Sequence, residues 1–179
     1  MDFLELVKTR RSVREYLAKP VEQEKIERCL EAARLAPSAC NAQPWRFITV
    51  DEPGLKDAVA NKTFGAIVSF NSFVPQAPVI VAVVMERPNL AARIGGALKG
   101  KQFNLIDIGI ATAHFCLQAA AEGLGTCILG WFDERAIKKL LGVPRTKRIG
   151  LLITLGYSKT DAIGEKDRKP MDEIRSYNK

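Results

Sequence analysis

The chain has 179 residues, of which 47% are hydrophobic and 26% are charged, and these values are typical of one globular domain rather than a disordered chain. The formal charge is +7, but the basic residues are scattered and no RNA-binding, zinc-finger or helix-turn-helix signature accompanies them. One histidine and four dispersed cysteines leave no ordinary zinc site and argue against a Ser-His-Asp hydrolase.

The amino-terminal sequence MDFLELVKTRR lacks the long apolar core of a secretory signal. No apolar run approaches the roughly 18–20 residues that a membrane-spanning helix needs. We therefore expect a single domain over residues 1–179 in the cytoplasm, without a membrane partner. The basic surface is expected to be solvated and could steer anionic ligands, so nucleic acid is not an expected partner.

Hydrophobic periodicity and turn residues predict the elements in chain order. Helices are predicted at 2–9, 22–36, 55–61, 102–122 and 133–141, and strands at 45–50, 79–85, 126–130 and 149–155. A partly ordered loop is predicted at 64–76, a loop at 86–101 and a polar tail from Gly156 onward. The run 102–122 is apolar nearly all round and is expected to be central. Helices separate the strands, which favours an α/β or α+β sandwich with about four strands and leaves their direction open.

Three arginines and a serine follow the first predicted helix, at Arg10, Arg11, Ser12 and Arg14. Guanidinium groups are well suited to bidentate binding of phosphate. In an extended segment, Arg10, Ser12 and Arg14 would point to one side and Arg11 to the other. A solvated basic patch after a helix is the plain alternative, and the spacing alone does not choose between the two.

A second segment, PSACNAQPW at residues 37–45, joins a predicted helix to a predicted strand. Its small residues and amides could lay backbone donors and a planar side chain against a flat polar ring. Most clusters of Pro, Ser and Asn are only connectors, which is the alternative here.

The sequence RRSVREY followed by PSACNAQPWRF resembles the FMN-dependent nitroreductase family, and the resemblance extends over essentially the whole chain. It implies an α+β fold, a three-layer α/β/α sandwich with a mixed, largely antiparallel sheet, in an intertwined homodimer. It also implies bound FMN, with NADH or NADPH as hydride donor. A nitroaromatic, quinone or similar electron-poor small molecule would be the acceptor.

The resemblance also assigns cofactor-binding roles to particular residues. The arginine segment would reach the phosphate, ribityl chain and pyrimidine edge, and the loop 37–45 would contact the flavin held mainly by the other subunit. Backbone amides after the GLG segment would face the reactive edge of the ring, and a basic tail would close over the phosphate. The assigned residues are Arg10, Arg11, Ser12, Arg14, Pro37, Ser38, Ala39, Asn41, Gln43, Asn71, Leu129, Gly130, Lys166 and Arg168.

Family members often carry a hydroxyl residue where Ala39 and Cys40 stand, and hydroxyl contacts are not expected there. No acid–base side chain is predicted, because a flavin carries the redox chemistry itself. Two alternatives remain open at this point. One is a related flavoenzyme that dehalogenates, oxidises heterocycles or breaks down flavin. The other is a non-catalytic flavin- or nucleic-acid-binding protein.

Overall fold

The computed structural model describes residues 2–65, 69–160 and 166–178. Within these ranges it contains seven α-helices: α1 Phe3–Thr9, α2 Gln23–Arg34, α3 Pro53–Ala60, α4 Leu90–Lys99, α5 Phe103–Ala121, α6 Glu134–Leu140 and α7 Met171–Ile174. The strands are β1 Trp45–Val50, β2 Val79–Met85, β3 Gly125–Leu129 and β4 Arg148–Gly156. Two short 3-10 turns cover Ala39–Asn41 and Val74–Gln76.

The four strands form one sheet in the order β1-β2-β4-β3, and each neighbouring pair is antiparallel. The predicted mixed sheet is therefore not seen among these strands. Among the described residues, parallel pairing is limited to a single bridge between Ser12, which lies outside the strands, and Thr126 of β3. The predicted strand boundaries agree with the structure to within one residue, because each strand is a short apolar run closed by turn residues.

Strand β2 is buried on both sides, as its continuous apolar sequence predicts. Successive side chains of a strand point to opposite faces, so β2 divides its residues between two cores. Ile80, Ala82 and Val84 lie in the core that includes residues of α3 and α6. Val79, Val81 and Val83 lie in the core that includes residues of α2 and α5.

Helix α4 lies in the segment 86–101, for which a loop was predicted, and this prediction is wrong for Leu90–Lys99. The Asn89 side chain begins the helix by accepting the Ala92 N–H at 2.9 Å, and Gly100 ends it at a positive φ of 62°. Two interior glycines weaken the helical signal in the sequence. Packing explains one of them, because a Cβ on Gly96 would lie 2.7 Å from the Lys101 carbonyl oxygen.

Helix α5 is buried on one face only, although its composition predicts a helix buried all round. Its buried residues include Asp107, Ile108 and Phe115, while Leu105 and Ile106 are 46% and 53% exposed. The prediction that no apolar run is long enough to span a membrane is wrong for α5, which by length and a mean hydropathy of 1.2 could cross one and is the one described helix of which this is true. Its buried face packs on α2 and the sheet, which is the arrangement of a core helix.

The segment 64–76, for which a partly ordered loop was predicted, has ordered structure at its end. Phe73 and Val74 are buried and lead into a 3-10 turn, while residues 66–68 lie outside the described ranges. The polar tail carries the short helix α7, and its residues 161–165 also lie outside those ranges.

Candidate functional site

The segment Arg10–Arg14 is extended and lies along β3. The Val13 N–H donates to the Thr126 carbonyl at 2.9 Å, next to the parallel bridge between Ser12 and Thr126. Further along, Tyr16 forms an antiparallel bridge with Ser158, which follows β4. The segment is therefore held by backbone pairing from two directions, and this accounts for the extended conformation that the alternating polar residues predict.

Tyr16 anchors the same segment from the core. Its side chain is 1% exposed, and its hydroxyl donates to the Val13 carbonyl at 2.9 Å and lies 2.7 Å from the Thr154 hydroxyl. Burial raises the pKa of Tyr16, so the phenol stays neutral and keeps the proton with which it donates. This hydroxyl fixes the main chain between Ser12 and Arg14.

Gly125 allows the segment to approach β3. A Cβ on Gly125 would lie 2.5 Å from Cγ2 of Val13, closer than two carbon atoms can come without displacement. The second glycine of the GLG motif is thus required by the packing of the arginine segment. Two motifs that are 112 residues apart in sequence form one structural unit.

Three cationic side chains meet beside this unit. Partial burial, followed by the nearby positive charges of Arg10 and Arg168, lowers the pKa of the Lys166 ammonium. Lys166 also donates to the Val7 carbonyl of α1. The structure thus brings together three of the residues predicted to bind phosphate, from opposite ends of the chain. We call Arg10, Lys166 and Arg168 the cation cluster.

Arg11 makes a contact of its own beside the cation cluster. Its guanidinium donates to the Thr160 carbonyl at 3.0 Å. Arg10 and Arg11 nevertheless line one cavity of about 300 Å³ together with Gly125, Thr126 and Ser158. Ser12 and Arg14 are exposed, and their side chains remain available at the surface.

The loop Pro37–Gln43 holds an unusual backbone conformation. Cys40, Asn41 and Gln43 have positive φ values of 51°, 50° and 45°. For residues with a side chain this conformation costs about 1–2 kcal/mol each, so other contacts must hold it. Within the loop, the Ser38 hydroxyl accepts the Gln43 N–H at 3.0 Å, and the Gln43 amide donates to the Asn41 side chain at 2.9 Å.

Two side chains from outside the loop also hold it. The Ala39 N–H donates to the Asp107 carboxylate of α5 at 3.1 Å, and the Asn89 amide donates to the Cys40 carbonyl at 2.9 Å. The sequence analysis did not predict a role for either Asp107 or Asn89, because no sequence pattern in or near α4 and α5 relates these residues to the loop. A carboxylate within an otherwise apolar helix is the one signal that singles out Asp107.

The two predicted halves of the site lie apart within one chain. Asp107 contacts the loop near the start of α5, while Ala120, near its end, lines the cavity beside Arg10. These two positions are thirteen residues apart on α5, about 20 Å along the helix axis. One described chain therefore presents the loop and the arginine segment at different places.

The Asn71 side chain is buried and hydrogen-bonded to the chain that follows β3. Its side chain is 4% exposed, and its amide donates to the carbonyls of Thr63 at 3.1 Å and Trp131 at 3.0 Å. The next residue back from Trp131 is Gly130, where an added Cβ would meet nothing within 4 Å. Asn71 thus fixes the chain that follows the predicted amide donors Leu129 and Gly130.

The cysteines divide into three buried thiols and one exposed thiol. Burial raises the pKa of Cys29 to about 12 and also raises the pKa values of Cys116 and Cys127. These thiols stay protonated and are suited to core packing rather than nucleophilic chemistry. Cys40 is exposed on the loop, at a position of positive φ.

We predict that Gly125→Ala destabilises the protein by about 1–3 kcal/mol, because the new methyl group must displace Val13 and the arginine segment. Gly130→Ala is the matched control, since a Cβ there enters open space and stability should not change. Urea unfolding measures both free energies. Equal stability of the two variants would show that the segment adjusts freely, against the packing described above.

Comparison with known proteins agrees with this geometry. The family model described as "Nitroreductase family" matches residues 7–157. A protein of Archaeoglobus fulgidus whose name contains the terms NADH dehydrogenase and NAD(P)H nitroreductase is 33% identical over 162 residues, covering 88% of this chain and 86% of that protein.

Two further proteins show the range of the similarity. Iodotyrosine deiodinase 1 of Mus musculus is 27% identical, over 97% of this chain and 68% of its own length. The solved structure of an FMN-dependent nitroreductase from Clostridium difficile is 25% identical with a TM-score of 0.77, covering 98% of this chain and 99% of that one. From its sequence and its fold, this chain belongs to the nitroreductase family.

Proposed function

We propose that this protein is an FMN-dependent oxidoreductase that transfers hydride from NADH or NADPH to a nitroaromatic, quinone or similar electron-poor acceptor. The observation that supports this best is the cation cluster. Partial burial, and after it the positive charges of Arg10 and Arg168, lower the pKa of Lys166, and a bound phosphate would offset this repulsion between like charges. The chemistry of this donor set fits the phosphate of FMN.

The chain's own residues would then bind and orient the ligands. Arg10, Lys166 and Arg168 would hold the phosphate, with Ser12 and Arg14 next to it on the exposed side of the same segment. Main-chain amides at Leu129 and Gly130 would stabilise negative charge that develops at the ring edge. Bound FMN would supply the two-electron chemistry. Donor and acceptor would use one cleft in turn, which is a ping-pong mechanism.

We further propose a homodimer, in which the loop Pro37–Gln43 of one subunit completes the site built around the cation cluster of the other. The separation of this loop from the arginine segment, about 20 Å along α5, supports this arrangement. Exposed apolar residues support it as well, because α1 leaves Phe3 and Leu4 67% and 58% exposed beside α5, which itself exposes Leu105 and Ile106. A second subunit would cover this surface and complete the three-layer arrangement.

A cytoplasmic location belongs to the same proposal. All four cysteines are free, and none is paired in a disulfide. Free thiols are typical of proteins in reducing compartments.

The reaction is tested with the purified protein. We expect a bound yellow chromophore, and oxidation of NADH or NADPH that depends on an added quinone or nitroaromatic. Cys40→Ser should retain nearly full turnover, since hydride transfer needs no thiol. Loss of turnover by this variant with FMN still bound would contradict the mechanism. Selective reduction of a halogenated tyrosine would instead favour dehalogenation, the reaction in the name of one relative.

Arg10→Ala and Arg168→Ala should each weaken FMN binding roughly 10- to 150-fold, as expected for the loss of one charge-assisted hydrogen bond. Riboflavin lacks the phosphate, so both variants and the parent should bind it with similar weakness. Fluorescence titration of the apoprotein with both ligands measures the affinities.

Lys139→Ala is the control for net charge, because this exposed lysine lies on α6, away from the cation cluster. If Arg10→Ala weakens FMN and riboflavin equally, Arg10 does not bind the phosphate.

The dimer is tested by analytical ultracentrifugation. Ile106→Glu places a charge in the exposed apolar surface of α5 and should shift the dimer towards monomer at micromolar concentration. Leu140→Glu is the control, because Leu140 is 37% exposed on α6, which packs on the opposite face of the sheet. A flavin-loaded monomer of the unmodified chain would refute the shared site.

A further inference from the structure

We propose that Asp107 is a positioning residue, which holds the loop Pro37–Gln43 in the conformation that the cofactor site uses. This inference rests on the proposed function, because it assigns the loop to a flavin site. Asp107 lies on the buried face of α5 and contacts the loop from the protein interior. The residue would therefore affect flavin binding by positioning the loop and not by contacting the flavin itself.

The geometry supports a dedicated contact. Asp107 is 3% exposed, and one carboxylate oxygen accepts the Ala39 N–H at 3.1 Å. Ala39 immediately precedes Cys40 and Asn41, two of the three loop residues with positive φ. Fixing the Ala39 amide therefore fixes the entry into the strained part of the loop.

The other oxygen of Asp107 supports a role beyond stability. This atom is buried and has no hydrogen-bond partner among the described residues. A buried carboxylate with a single donor is unfavourable compared with an apolar side chain of similar size. A role in the loop explains why an acidic residue occupies this position on a helix that is otherwise largely apolar.

Asn89 holds the same loop from the other side. Its amide donates to the Cys40 carbonyl, and its carbonyl caps α4 by accepting the Ala92 N–H. The loop is thus tied to two helices, one packed in the core and one at the surface. Of these two contacts, only the one with Asp107 originates in the core, so Asp107 sets the position of the loop relative to the sheet.

Two readouts test the role of Asp107: amide hydrogen exchange of residues 38–43 in the apoprotein, and the FMN dissociation constant. Asp107→Ala removes the acceptor, and we expect about tenfold or greater acceleration of exchange and roughly 10- to 150-fold weaker FMN binding. Asp107→Asn keeps an acceptor oxygen and should stay within about threefold of the parent in both. Thr112→Val is the matched control, since Thr112 is a buried polar residue on α5 whose hydroxyl also lacks a partner.

Three outcomes would overturn the proposal. Asp107→Ala could leave both readouts unchanged, Asp107→Asn could behave like Asp107→Ala, or Thr112→Val could loosen the loop equally. If Asp107→Ala does not fold, Asp107→Ser replaces it, because the serine side chain is too short to accept the Ala39 N–H. If the parent protein binds no FMN, the proposed function is wrong, and the exchange measurement alone decides whether Asp107 positions the loop.

Discussion

The candidate site depends on the backbone pairing that holds residues Arg10–Tyr16 between β3 and the chain after β4. This pairing gives the arginine segment an extended conformation, and the buried Tyr16 hydroxyl fixes it at the Val13 carbonyl. Close approach to β3 requires the absence of a side chain at Gly125. A short polar segment is thereby attached to the sheet by its backbone, while the Ser12 and Arg14 side chains remain exposed.

Helix α5 organises the rest of the site. Its buried face packs on the sheet, Asp107 near its start contacts the strained loop, and its end adjoins the cavity beside Arg10. The helix separates the two functional segments within one chain and exposes an apolar face between its ends. In the proposed homodimer, the separation of these two segments along α5 would make cofactor binding depend on assembly.

Much of the fold could be predicted from local patterns. Apolar runs closed by turn residues located all four strands, and the helix predicted at 133–141 matches α6, which Asp133 caps by accepting the Ala136 N–H at 3.0 Å. Helix α4 was missed because its paired glycines lower helix propensity. The close packing that favours glycine at Gly96 depends on the tertiary structure and cannot be predicted from the sequence pattern. Composition also overstated the burial of α5, since apolar residues occur at protein interfaces as well as in cores.

The sequence by itself determined the order of the four strands and of five of the seven described helices, the two motif segments and the resemblance to a flavin-binding family, because these depend on residue type and short-range spacing. Only the tertiary structure decided that Asn71 supports the chain after β3 and that Asp107 contacts the loop, and it placed Arg10 near Lys166 and Arg168 as the resemblance implied. These contacts join residues that lie far apart in the chain. Their proximity follows from the packing of helices against a particular sheet order, which no local pattern contains.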